Sequence, residues 1–263
     1  MIVSAGPGGL VLVRQVDHQD QCGLMADAWG NAEFARPEPY APIALAARVH
    51  DEGWRPWERE PGVDRDGAPV NFSDIDRTTH VALYGEGIAE AAARDARAGL
   101  LVSLHGQGLY EGRRGLDPGP ATPRAERPPA VRAFLAEQDE VQGALRERIG
   151  SGPELDAWAW AGYRLLQTWD VMSLFLTWGR LWDRGEVALP QTPRGVGDPG
   201  VEIRLHRDGD EVACGPWPFR DDAVDLPVAA RAVPARPYAS GAALAAEITR
   251  SRPQTLGFRL RPG

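Results

Sequence analysis

The hydrophobic positions along the chain change their period several times, and each change predicts an element. Ile2-Val3 and Leu10-Val11-Leu12-Val13 flank a Gly-Pro-Gly-Gly turn at 6–9, the pattern of a hairpin over residues 1–16. From Asp17 to about Trp29 the spacing becomes helical. Residues 41–51 predict a second helix, which tolerates Pro42 in its first turn and is stopped by Gly53 and Pro56. A loop rich in Pro, Gly and Asp runs to about residue 75. Val81, Leu83, Tyr84, Ile88 and Ala92 then mark a helix over about 76–97. Residues 98–110 read as a short, buried apolar segment and 111–127 as a basic, Gly/Pro-rich loop. Helices are expected over about 129–149 and 153–183. The second carries Trp158, Trp160, Tyr163, Trp169, Phe175, Trp178 and Trp182, an aromatic stripe that reads as core.

From Pro190 onward the pattern shortens to alternating runs at 201–205, 211–214 and 255–260, read as strands, with one helix near 239–250. These strands are expected to join the N-terminal hairpin in a small antiparallel sheet. The predicted fold class is therefore mainly α: one domain over 1–263, with a helical body at 17–188 and a small β subdomain made of 1–16 and 190–263.

Composition narrows the partners more than the fold. With 263 residues, 43% apolar and 25% charged, the chain can bury a sizeable core, which excludes disorder. No run approaches the roughly 18 to 20 apolar residues of a membrane helix, and the first residues do not resemble a secretory leader, so a soluble, cytoplasmic protein is expected. The net charge of −8 argues against nucleic acid, leaving a small-molecule substrate as the expected partner and self-association open. All 29 basic residues are Arg, which together with the abundant Ala, Gly and Pro reflects genome composition. Cys22 and Cys214 are too few for a disulfide scaffold or a cysteine zinc site, so a metal is expected on His and carboxylates.

His18, His50, His80 and His105 each lie on or at the end of an apolar segment, whereas His206, in a strand between Arg204 and Arg207, reads as surface. Asp51 follows His50 directly, and Asp170 sits between Trp169 and Val171 in the aromatic helix. A lone carboxylate there would cost several kcal/mol of desolvation. Ion pairs with Arg48 or Arg164 are one remedy, and a divalent ion (Fe, Mn or Zn; one or two per chain) shared with the imidazoles is the other. Neighbouring helical residues point about 100° apart, so His50 and Asp51 can address one ion only from a helix end, or else bridge two.

The series His18, His50-Asp51, His80, His105, Asp170 resembles the HD-domain superfamily of helical metal enzymes over roughly 17–175. That resemblance implies an HD-domain-like helical bundle, with His18, His50, Asp51 and Asp170 on a first ion, Asp51 bridging, and His80 and His105 on a second. More closely, His50-Asp51-Glu52-Gly53-Trp54 with Trp57, Asp66-Gly67-Ala68-Pro69-Val70-Asn71-Phe72 and Leu101-Val102-Ser103-Leu104-His105-Gly106 resemble a bacterial family, the domain of unknown function numbered 3891, across nearly the whole chain. Many superfamily phosphohydrolases and di-iron oxygenases carry Lys or His where Trp54 stands. The missing cation is therefore sought at Arg113, Arg114, Arg48 or Arg55.

Trp54, Gln107, Arg113, Arg114 and Gln167 are the expected substrate contacts, and Gln15 lies near the same ligands. The leading functional expectation is a metal-dependent hydrolase of a small phosphate ester or nucleotide, with Asp51 as the catalytic carboxylate. The alternatives are a di-iron oxygenase on the same ligands and a non-catalytic helical binding protein. Other motifs fail: Gly112-Arg113-Arg114-Gly115 lacks the Lys-Ser/Thr of a phosphate loop, and Ser103 and Ser173 lack a nucleophile elbow.

Overall fold

The computed structural model describes residues 1–112, 122–209 and 211–263, so Arg113 and Arg114 lie outside the described residues. β1 (Ile2–Gly6) and β2 (Gly9–Val13) form the expected hairpin, with Ile2 opposite Val13. The helices that follow are α1 (Gln15–Ala28), α2 (Ala41–Val49), α3 (Arg77–Arg94), α4 (Ala96–Tyr110), α5 (Pro129–Ile149), α6 (Pro153–Thr177) and the short α7 (Gly179–Trp182). Their starts follow from local chemistry. The Asp76 carboxylate accepts the Thr79 N–H at 3.0 Å to begin α3, and Pro129 and Pro153 open α5 and α6, where a missing N–H costs nothing. The segment expected to be merely apolar is a full helix, α4, because Asp95 accepts the N–H groups of both Arg97 and Ala98.

The expected mainly α bundle with a small antiparallel sheet is not what forms. The fold is mixed α/β, eight helices and a strongly curled, half-barrel sheet of seven strands among the described residues. The remaining elements are β3 (Glu186–Thr192), β4 (Val201–Asp208), β5 (Glu211–Gly215), β6 (Val224–Val233), α8 (Gly241–Arg250) and β7 (Pro253–Pro262), and the strand order is β1-β2-β6-β7-β5-β4-β3. All pairs are antiparallel except β5 with β7.

Two strands account for the error. β3 begins just past the segment read as helix and straddles the expected end of the helical body, after Trp178 has left helical geometry (φ −100, ψ 110). β6 is hard to see because Pro227 and three alanines lower its strand propensity. Pro227 is tolerated because β2 reaches β6 only at residues 231–233, so β7 is the one strand alongside position 227. On its open side α1 replaces a strand: Gln21 Nε2 donates to the Leu226 carbonyl at 2.9 Å.

The curl wraps the sheet around α1 and α6, so both helices are enclosed. α6 buries nineteen of its twenty-five residues, and Trp158, Tyr163, Trp169 and Phe175 form core as expected, while Trp160 is 45% exposed. α1 buries nine of fourteen, among them Gln15, His18, Gln19, Gln21 and Cys22. Polar side chains thus face the interior from the innermost elements, where each needs a partner. α8 packs on the outer side of the sheet, where Leu244 joins Met1, Leu12, Val233 and Tyr238. No helix among the described residues is long and apolar enough to cross a membrane.

Gly53 is where α2's exit meets α3. A Cβ at this position would overlap the Leu83 carbonyl oxygen and come within 2.8 Å of the Gly87 nitrogen, so the turn after His50-Asp51 can lie against α3 only with glycine. Gly53→Ala is expected to destabilise the protein by roughly 3 kcal/mol, the upper end for overpacking, because backbone has to move. A urea midpoint equal to wild type would show that the turn relaxes freely.

Candidate metal centre

Four elements deliver the donors. His18 and Cys22 lie one turn apart on α1, His50 and Asp51 at the end of α2, His105 within α4 and Asp170 within α6; all six are buried. The α2 helix ends at Val49, and Trp54 N–H returns to the Asp51 carbonyl at 3.0 Å to close a tight turn over 52–54. This release from helical geometry lets adjacent His50 and Asp51 face one centre. His50 Nε2 lies 3.7 Å from Asp51 Oδ2 and 3.9 Å from Asp170 Oδ1, His105 Nε2 lies 3.8 Å from Asp170 Oδ2, and His18 Nε2 lies 3.0 Å from Asp170 Oδ1. Two N or O ligands each about 2.1 Å from a single ion can be no more than about 4.2 Å apart, and these separations fall inside that limit.

The hydrogen bonds assign the tautomers. His50 Nδ1 lies 3.0 Å from the Ala47 carbonyl, which can only accept, so Nδ1 carries the proton and Nε2 of the neutral ring is a lone pair. That Nε2 is buried and has no hydrogen-bond partner. Ser173 gives its hydroxyl proton to Gln21 Oε1 at 2.6 Å, so His18 Nδ1, 2.7 Å from Ser173 Oγ, must donate. His18 Nε2, 3.0 Å from Asp170 Oδ1, therefore either donates a second ring proton to that carboxylate or offers a lone pair to a cation in the proton's place. The His50 lone pair, aimed at buried anions, repels them unless a proton or a metal ion lies between. Ligating histidines characteristically hold their other ring N–H on a protein acceptor in this way.

The charges respond accordingly. Burial opposes a charge on His18, yet its pKa is raised well above the ordinary imidazole value. The Asp170 carboxylate is the effective cause, because burial also raises the neighbouring Cys22 thiol and keeps it neutral. Burial works to raise Asp170, but the hydrogen bond from His18 and the nearby imidazoles hold it down at about 2. Burial lowers His105 to about 4, leaving a neutral ring. The Asp51 carboxylate accepts Gln15 Nε2 at 3.0 Å and the Tyr84 hydroxyl at 3.1 Å. Burial first, then Asp51, raises Tyr84 far above the usual phenol value, so it remains a donor.

Two sets of buried donors of the kind that hold a metal ion result: His18, Cys22 and His50, and His50, His105 and Asp170, with ligand atoms within 4.8 Å of one another in each. Cys22 adds a sulfur to the first set that cysteine count alone does not single out as a donor. Its signal was present in the four-residue spacing from His18, which puts both on one helix face. His80 belongs to neither set. It lies on the far side of Tyr84, whose ring is 4.9 Å from His80 and 6.3 Å from His105, and its Nδ1 is bonded to the Tyr110 hydroxyl.

A cavity of about 240 Å³ reaches this centre, with Asp51, Asp170, His80 and Tyr84 in its lining. The substrate contacts expected from sequence point elsewhere. Trp54 is 1% exposed and stands edge-on to Trp57 and His80. Gln107 bonds Asp139 and Gln142, and Gln167 bonds Arg164. None of the three lines the cavity. Nor do Arg48 and Arg164 neutralise the aspartates: Arg48 pairs with Asp27, and Arg164 meets the Pro190 and Gln191 carbonyls.

A family model described as a protein of unknown function, DUF3891, matches residues 1–235. The chain belongs to the DUF3891 family. No curated protein and no solved structure matches it. The DUF3891 match contains every donor of the cluster and ends just after β6, so α8 and β7 lie beyond it.

Proposed function

We propose that this DUF3891 protein is a metal-dependent hydrolase of a small phosphate ester, with an HD-type ligand arrangement in which His18, His50, Asp51, His105 and Asp170 surround one divalent ion. The observation that carries the reading is the unpartnered Nε2 of His50, turned toward two buried carboxylates beside a cavity, with His18 Nε2 on the same Asp170 carboxylate. A buried, unpaired acceptor costs about 1–3 kcal/mol, and cation binding removes that cost. A divalent ion held there supplies Lewis acidity and acidifies water near neutral pH. Asp51 lines the cavity with its carboxylate fixed by Gln15 and Tyr84, so it orients a water and receives its proton. His80 lines the same cavity outside the ligand sets, which favours one ion over two and gives His80, with Tyr110, the place of a proton donor to the leaving group.

Protein purified without a chelating column should carry about one Zn, Mn or Fe per chain by plasma mass spectrometry, and should release phosphate from 4-nitrophenyl phosphate in a reaction that EDTA stops and added metal restores. Absence of metal together with absence of hydrolysis would favour a non-catalytic binding protein. Iron at two per chain would favour the oxygenase.

A further inference from the structure

The cavity has a second polar feature on its wall. Arg77, the first residue of α3, and Arg127, in the turn ahead of α5, both line it. Acidic residues outnumber basic ones by 37 to 29, and cations elsewhere are commonly paired, as in Arg55 with Glu52, Arg94 with Glu90 and Arg124 with Asp139. Neither Arg77 nor Arg127 has an acidic partner among the described residues, and Arg127 Nε is buried with no hydrogen-bond partner at all. A guanidinium N–H left unsatisfied against a cavity is a donor waiting for an acceptor, and guanidinium forks suit phosphate oxygens. The rest of the wall mixes apolar side chains, such as Phe72, Val131 and Trp178, with the polar ones of the metal centre and its surroundings. The cavity volume of about 240 Å³ falls below the roughly 300–1,000 Å³ of sites for larger ligands, so size restricts what enters.

We propose that Arg77 and Arg127 form an anion subsite that takes the phosphoryl oxygens of a phosphate monoester smaller than a nucleotide. The proposal rests on the hydrolase reading for the reaction, but the arginines bind the anion without the metal. They also offset the repulsion that Asp51 and Asp170 exert on an anion entering the same cavity.

The test uses the full chain freed of metal by EDTA and dialysis, titrated with inorganic phosphate by calorimetry. Wild type should bind phosphate, and Arg77→Gln and Arg127→Gln should each weaken binding by about tenfold or more, the loss expected for one charge-assisted contact. His206→Ala, exposed and outside the cavity lining, should leave phosphate affinity within about twofold of wild type. Arg77 is exposed, so its variant should fold even where Arg127→Gln does not. With metal restored, wild type should hydrolyse 4-nitrophenyl phosphate in preference to adenosine monophosphate. Undiminished phosphate binding by Arg77→Gln, or no binding by metal-free wild type, would overturn the subsite. A metal-free protein that shows the arginine-dependent binding but never takes up metal would instead overturn the hydrolase reading alone.

Discussion

His50→Ala should strip the protein of its metal. The His50 ring is held by the Ala47 carbonyl so that Nε2 faces Asp51 Oδ2 and Asp170 Oδ1. Losing a group that merely orients a ligand costs about 10- to 100-fold in metal affinity, so loss of the ligand itself should exceed about 100-fold and leave the purified chain essentially empty. Asp51→Ala should do the same, and exposed His206→Ala should change nothing. Stability separates this outcome from simple misfolding. Metal at a thousand times its Kd stabilises the folded chain by about 4 kcal/mol, and that increment should vanish in His50→Ala. Measured in EDTA, the variant should melt close to wild type, because the mutation also removes an unsatisfied buried nitrogen. Equal metal content in wild type and Asp51→Ala would refute the assignment.

A chain ended at residue 188 should not fold. The cut removes β4, β5, β6 and β7, which occupy the middle of the sheet, and leaves the β1–β2 hairpin at one side with a stub of β3. Ile203, Leu205, Val212, Leu226 and Leu260 are all fully buried. At about 1.5–3 kcal/mol for each such side chain, their loss is on the order of the 5–15 kcal/mol that stabilises a typical domain. An isolated hairpin is marginal in water, so the remainder has no sheet to rest on. The damage should extend to the metal centre, because the Leu226 carbonyl holds Gln21, Gln21 takes the Ser173 proton, and Ser173 holds His18. We expect an insoluble or dye-binding, partly unfolded product. A truncated chain with the melting temperature of the full-length protein would show instead that the tail is an independent appendage.

The helices were legible because their signals are local. A 3.6-residue apolar period, Asp76 ahead of α3 and prolines in the first turns of α5 and α6 act within a few residues of the chain. The hairpin was legible for the same reason, and so was the kinship of His18, His50, Asp51, His105 and Asp170, buried residues of the wrong polarity for their apolar surroundings. The extent of the sheet was not legible. β6 carries Pro227 and alanines, and becomes a strand because β7 pairs along its length while α1 covers the side that β2 does not reach. The same holds for Tyr84 and Ser173, ordinary residues by composition that reach Asp51 and His18 across tens to hundreds of positions, and for Arg77 and Arg127, which meet only at the cavity wall. Hydrophobic period and capping constrain a residue only against its near neighbours along the chain. Which lone pair faces which carboxylate depends on packing between helices and the curled sheet, and no local pattern encodes that arrangement.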